Sequence, residues 1–113
     1  MPRPKSYGDF YITGKDNVLP VFISTNIVQG RNKYILDLKS LIDSNDIGAD
    51  ELLKIRRKIS INGNVLSCYI NKNQTLEVVL LRGVDWKSQS SGISTGDEIK
   101  QIIQDEVTAK IQQ

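Results

Sequence analysis

The sequence predicts an α+β domain built from a mainly antiparallel sheet of about five strands with two helices, in the order βββαββα. Three observations carry that expectation. Short runs rich in Val, Ile, Phe, Tyr and Leu recur between turn signals made of Gly, Asn and Asp. Two longer segments place apolar residues at helical spacing, the first with Leu52, Leu53, Ile55 and Ile59, the second with Ile99, Ile102, Ile103, Val107 and Ile111. A length of 113 residues holds one ordinary core, so residues 1–113 are expected to form a single domain.

Residues 1–8 combine two prolines, two basic residues and a glycine, the composition of a flexible arm. Residues 9–13 and 18–26 then read as a hairpin around Gly14-Lys15-Asp16-Asn17, with Pro20 favouring an edge or the start of the second strand because it lacks an N–H. The turn Gln29-Gly30-Arg31-Asn32 leads to a third strand over 33–38, where Tyr34, Leu36 and Leu38 alternate with Ile35, Asp37 and Lys39. Asp43-Ser44-Asn45-Asp46 reads as a turn or cap cluster before a helix over 49–59, whose first turn is acidic through Asp50 and Glu51.

Asn62-Gly63 ends that helix. Residues 65–70 and 76–82 read as strands joined by the polar connection 71–75, with Leu66, Cys68 and Ile70 on one face and Val65 and Tyr69 on the other. Apolar residues on both faces predict that this hairpin holds the centre of the sheet. The serine-rich stretch 87–95 reads as a mobile loop. Thr95 and Glu98 have capping-box spacing ahead of the closing helix, in which Glu106 precedes Lys110 by four residues.

Composition narrows the chemistry. The chain has no histidine, which removes imidazole-based acid/base catalysis, Ser-His-Asp and Cys-His nucleophiles, and imidazole-containing zinc sites. One cysteine, Cys68, forms neither an intramolecular disulfide nor a multi-cysteine metal site, and it fits a reducing, cytoplasmic compartment. Cys68 reads as a buried structural residue. No apolar run approaches a membrane span. Fifteen Lys and Arg against thirteen Asp and Glu leave a net charge of +2, so charge must act locally if it acts at all.

The densest positive charge is Lys54, Arg56, Arg57 and Lys58, four basic residues in five positions of one helix. Such a helix can meet several phosphates, although cations near a helix C-terminus are also favoured by the macrodipole alone. Arg56 projects toward the apolar side, where a charge calls for a partner or an interface. Arg31, Lys33, Lys72 and Arg82 are candidates to extend the basic surface. Phe10, Tyr11, Phe22, Tyr34, Tyr69 and Trp86 are the aromatics available for base stacking, Trp86 foremost, with core packing as the competing role. The acidic pairs Asp50 and Glu51, Asp97 and Glu98, and Asp105 and Glu106 suit helix-dipole and solvation roles better than catalysis. No phosphate-binding loop or dinucleotide glycine pattern is present.

Asp46-Ile47-Gly48, followed by Leu53 through Val65 with its Arg56-Arg57 pair and Asn62-Gly63 turn, resembles the segment entering the C-terminal accessory domain of ribonuclease J. Leu81-Arg82-Gly83 and the closing helix are compatible with that domain's order, so the resemblance covers about residues 46–107. The resemblance implies an accessory domain for assembly or RNA handling, because the family's metal ligands and catalytic residues lie in other domains.

The expected function is therefore a non-enzymatic, nucleic-acid-linked binding or accessory module acting through the basic helix on RNA or single-stranded DNA, without metal or cofactor. The alternative is a structural or oligomerisation protein, such as a small phage or plasmid component, that forms a homo-oligomer or joins a larger protein assembly. No membrane partner is expected.

Overall fold

In the computed structural model, residues 10–12, 21–28, 30–87 and 94–111 are described. The flexible arm expected over 1–8, the turn 14–17, Pro20 and the central part of the serine-rich loop lie outside them. The described chain is α+β, with antiparallel strands throughout and three helices.

Strands β1 (Phe10–Ile12) and β2 (Val21–Ile23) pair with Phe10 opposite Ile23 and Ile12 opposite Val21. The strand expected over 18–26 does not run through. It breaks at Ser24, whose carbonyl accepts the Asp37 N–H, and β3 (Thr25–Val28) enters a different sheet. Five strands in one sheet thus become a two-stranded ribbon and a four-stranded sheet of order β3-β4-β6-β5. In that sheet β4 spans Lys33–Asp37, β5 Val65–Ile70 and β6 Thr75–Leu80.

A helix absent from the sequence reading, α1 (Lys39–Asn45), occupies the supposed turn cluster. Asn45 forms its last turn and Asp46 closes it in the left-handed conformation, at φ 51°, a role Asp tolerates. Helix α2 (Ala49–Ser60) follows, its start closed by the Gly48 N–H donating to Glu51 Oε2 at 3.0 Å. Helix α3 (Thr95–Ile111) is capped by Ser94, whose hydroxyl accepts the Asp97 N–H at 3.0 Å, one residue earlier than the Thr95 cap expected. Thr95 is thereby helical rather than part of a loop, and Glu98 is released to accept a bond from Asn62 at 3.0 Å.

The core lies between the helices and one face of the sheet. Tyr34, Leu36, Leu76, Val78, Leu80, Val65 and Cys68 supply the sheet side, and Leu41, Ile55, Ile59, Ile99, Ile103 and Val107 the helix side. Trp86 is core as well, stacked on Tyr34 at 4.5 Å between ring centroids. The opposite sheet face carries Lys33, Ile35, Tyr69, Glu77 and Val79.

The β5–β6 hairpin forms, but only β6 is central. β5 is an edge strand in the described sheet, and a bulge between Val65 and Ser67 shifts its phase. Val65 and Cys68 therefore both face the core, while Leu66, expected to share a face with Cys68, is 65% exposed. An inserted residue reverses the alternation on one side of it, which no period-two reading anticipates.

Candidate nucleic-acid interface

Projected at 3.6 residues per turn, α2 has four distinct sides. Leu52, Ile55 and Ile59 face the core. Glu51 and Lys58 lie on the flank toward α3, where Lys58 pairs with Glu106 and Glu51 lies 3.4 Å from Lys110. Lys54 and Arg57 occupy the exposed back of the helix. The remaining flank, away from α3, carries the half-buried Arg56 together with Leu53, which is 43% exposed, and Ser60, whose hydroxyl donates to the Arg56 carbonyl at 2.8 Å.

The four-residue basic cluster is consequently split. Lys58 is engaged in the α2–α3 contact through its ion pair with Glu106, while its side chain stays largely exposed. Lys33 is also engaged: its ammonium lies 2.5 Å from Glu77 Oε1 and 5.6 Å from the centre of the Tyr69 ring. Its bond to Glu77 raises the Lys33 pKa above the ordinary value and holds the Glu77 carboxyl below the ordinary carboxylate range. Tyr69 and Asn71 complete this cluster by donating to Glu77 at 3.2 and 3.0 Å.

The turns that carry Arg31 and Arg82 meet at one corner because Asn32 ties them together. The Asn32 side chain donates to the carbonyls of Leu81 and Val84 at 3.0 and 2.8 Å, and its own carbonyl accepts the Leu80 N–H at 3.0 Å. Asn32 sits at φ 51°, the left-handed region that Asn enters at low cost. The Leu81 N–H also reaches the Asn64 carbonyl at 3.0 Å, which brings in the turn that ends α2. The C-terminal end of α2, with Arg57, therefore shares one end of the sheet with Arg31 and Arg82.

Lys72 does not join them. It lies in the β5–β6 turn at the opposite end, where Thr75 pairs with Asp37. Among the described residues, Arg31, Lys54, Arg56, Arg57, Lys72 and Arg82 have no ion-pair partner.

The basic end is not uniformly positive. Asn64 donates to Thr95 at 3.3 Å, so the start of α3 with Asp97 and Glu98 reaches the same end. Exposed apolar groups stand there too: Ile61 is 82% exposed and Leu81 38%. Sequence reasoning missed Asn32 as the organiser of this corner. Its available signal was an Asn ending a Gly-Arg-Asn turn, a place for left-handed backbone.

Of the aromatic candidates, Tyr34 and Trp86 are buried and closed to bases, whereas Tyr69 is 41% exposed. The side chains of Phe10, Tyr11 and Phe22 lie outside the described residues. Cys68 is 4% exposed, and burial pushes its thiol up to about 12, so it is held as the neutral thiol. Among the described residues no group of three or more Cys, Asp or Glu is placed to hold a metal ion, and no helix is long and apolar enough to cross a membrane. No family model, curated protein or solved structure matches the chain.

Proposed function

We propose that the chain is a non-enzymatic accessory module that binds RNA or single-stranded DNA through the end of the sheet bearing Arg31, Arg57 and Arg82, with Lys54 extending the surface along α2. The supporting observation is the Asn32 bridge, which fixes two otherwise separate arginine-bearing turns to each other at the end of the sheet where the turn that follows α2 is also tied in. Three guanidiniums free of described ion pairs give planar, bidentate phosphate donors at little conformational cost. Asp97 and Glu98 at the same end limit the attraction, so binding is expected to be modest and salt-sensitive. Neither catalysis nor a cofactor enters this function. The resemblance of residues 46–107 to the ribonuclease J accessory domain points the same way, and the proposed location is cytoplasmic.

A second function has its own supporting observation. Ile61, Leu66 and Leu81 are exposed apolar side chains around the α2–β5 turn and the end of β6, a composition suited to assembly with another protein or copy.

Titrating a short single-stranded RNA at increasing salt separates the two. Contact with three phosphates gives a slope of about −2 in log affinity against log salt, at about −0.7 per phosphate. Replacing Arg31, Arg57 and Arg82 with Gln should remove most of that slope while leaving the fold intact. Absence of binding at about 50 mM salt, or an unchanged slope in the triple variant, rejects nucleic-acid binding at this end.

A further inference from the structure

We infer that the free edge of β5, beneath the Leu53–Arg56–Ser60 flank of α2, is a strand-addition site for an extended segment of a partner protein that carries an acidic side chain. Three features meet there. β5 ends the described sheet order, so among the described residues one row of its backbone N–H and C=O groups has no strand beside it. The flank of α2 above it is the one turned away from α3, because the α3 contacts of Lys58 and Glu51 use the other side. On this flank Arg56 is half-buried and has no ion-pair partner among the described residues.

Helix α2, which carries Arg56, packs directly on β5, and Cys68 of β5 is buried on the helix side of the sheet. A segment added beside β5 turns alternate side chains toward α2, into reach of Leu53 and Arg56. A carboxylate at one such position supplies the counter-charge that a partly desolvated guanidinium lacks.

The bulge at Leu66 confines regular pairing to Ser67 through Ile70, enough for a short strand. It also makes a second copy a poor occupant. Two-fold pairing of β5 with itself about that stretch draws two Arg56 guanidiniums toward each other, and Val65–Ile70 contains no acidic residue to offset them.

The test uses the full chain and a capped seven-residue peptide of alternating Val and Thr with one central Glu, facing the same peptide with Gln. Addition at β5 should slow amide hydrogen exchange at Ser67 through Ile70 and leave the β3 amides unchanged. The Gln peptide, and the Arg56→Gln chain with the Glu peptide, should each bind about tenfold more weakly. A Glu peptide N-methylated along one edge should lose binding without any change to the protein. Equal affinity for the Glu and Gln peptides, protection at β3 instead of β5, or a β5 edge already protected in a dimer of the free chain would overturn the inference. Displacement of the peptide by single-stranded RNA from the Arg31, Arg57 and Arg82 variant as readily as from the wild-type chain would instead assign this edge to nucleic acid and overturn it equally.

Discussion

Trp86 lies flat against Tyr34, with 4.5 Å between ring centroids and 18° between ring planes. The pair joins β4 to the chain that follows β6, and the indole in turn packs on Gly96 at the start of α3. A Cβ at Gly96 would come 2.7 Å from Trp86 Nε1 and 3.0 Å from the Trp86 carbonyl oxygen, the same oxygen that accepts the Gly96 N–H at 2.9 Å. One stacked pair thus sets how close the last helix can approach.

Gly96→Ala should therefore destabilise the domain, although Ala exceeds Gly in helix propensity by about 1 kcal/mol. The added methyl meets a ring and a backbone atom, neither of which yields like a flexible side chain. The expected net loss is about 1 to 3 kcal/mol, read by urea denaturation. Gly63→Ala is the control, because a Cβ there meets nothing within 4 Å. Equal stability of the two variants would show that Trp86 moves aside at little cost.

The Lys33–Glu77 pair gives stability a defined pH dependence. The Glu77 carboxyl is depressed below 4.5 by its bond to Lys33, so its contribution is complete above that value and is lost as pH falls through the folded-state pKa. Lys33 is raised above 10.5, chiefly by its bond to Glu77, so its contribution is complete below 10.5 and is lost as pH rises through the folded-state value. Glu77→Gln should open a stability gap at neutral pH that closes as the solution is acidified below 4.5. A gap independent of pH would mean that packing, not charge, is what the substitution removes.

Cys68 should react slowly with bulky thiol reagents in the native chain, because it is 4% exposed and its pKa of about 12 leaves almost no thiolate at neutral pH. Cys68→Ser should cost roughly 1 to 3 kcal/mol, the penalty for a buried hydroxyl left without a partner. Fast native labelling would place β5 in an opening equilibrium far easier than global unfolding.

The features legible in the sequence were those written in long, uninterrupted periods. α2 and α3 repeat their apolar residues over three turns or more, and the 65–82 hairpin shows two runs around a polar turn. α1 has only seven residues and two apolar anchors, Leu41 and Ile42, too few to distinguish a helix from a turn. The edge position of β5 was illegible for another reason: strand order depends on which strand β4 selects, and the bulge at Leu66 hides the true facing of the residues before it. In the basic cluster, residue type was readable but availability was not. Lys58 and Lys33 are paired with Glu106 and Glu77, which are 48 and 44 positions away, whereas the Asn32 bridge that joins the turns of Arg31 and Arg82 spans 49 and 52.

The final prediction concerns α3 as an integral part of the fold. Ile99, Ile103 and Val107 are fully buried, and the helix is fastened at both ends and its middle: Asn62 donates to Glu98, Lys58 pairs with Glu106, and Lys110 donates to the Asp46 carbonyl. Burial of the three aliphatic side chains contributes about 1.5 to 3 kcal/mol each, comparable in sum with the whole stability of a small domain. The polar fasteners add direction more than energy, since partly exposed ion pairs contribute little. Truncation after Ser94 should accordingly abolish cooperative unfolding, whereas Glu106→Gln should leave a cooperative transition shifted by at most about 1 kcal/mol. A truncated chain that still melts cooperatively at near-parent stability would show α3 to be a docked appendage whose apolar stripe is available to a partner groove.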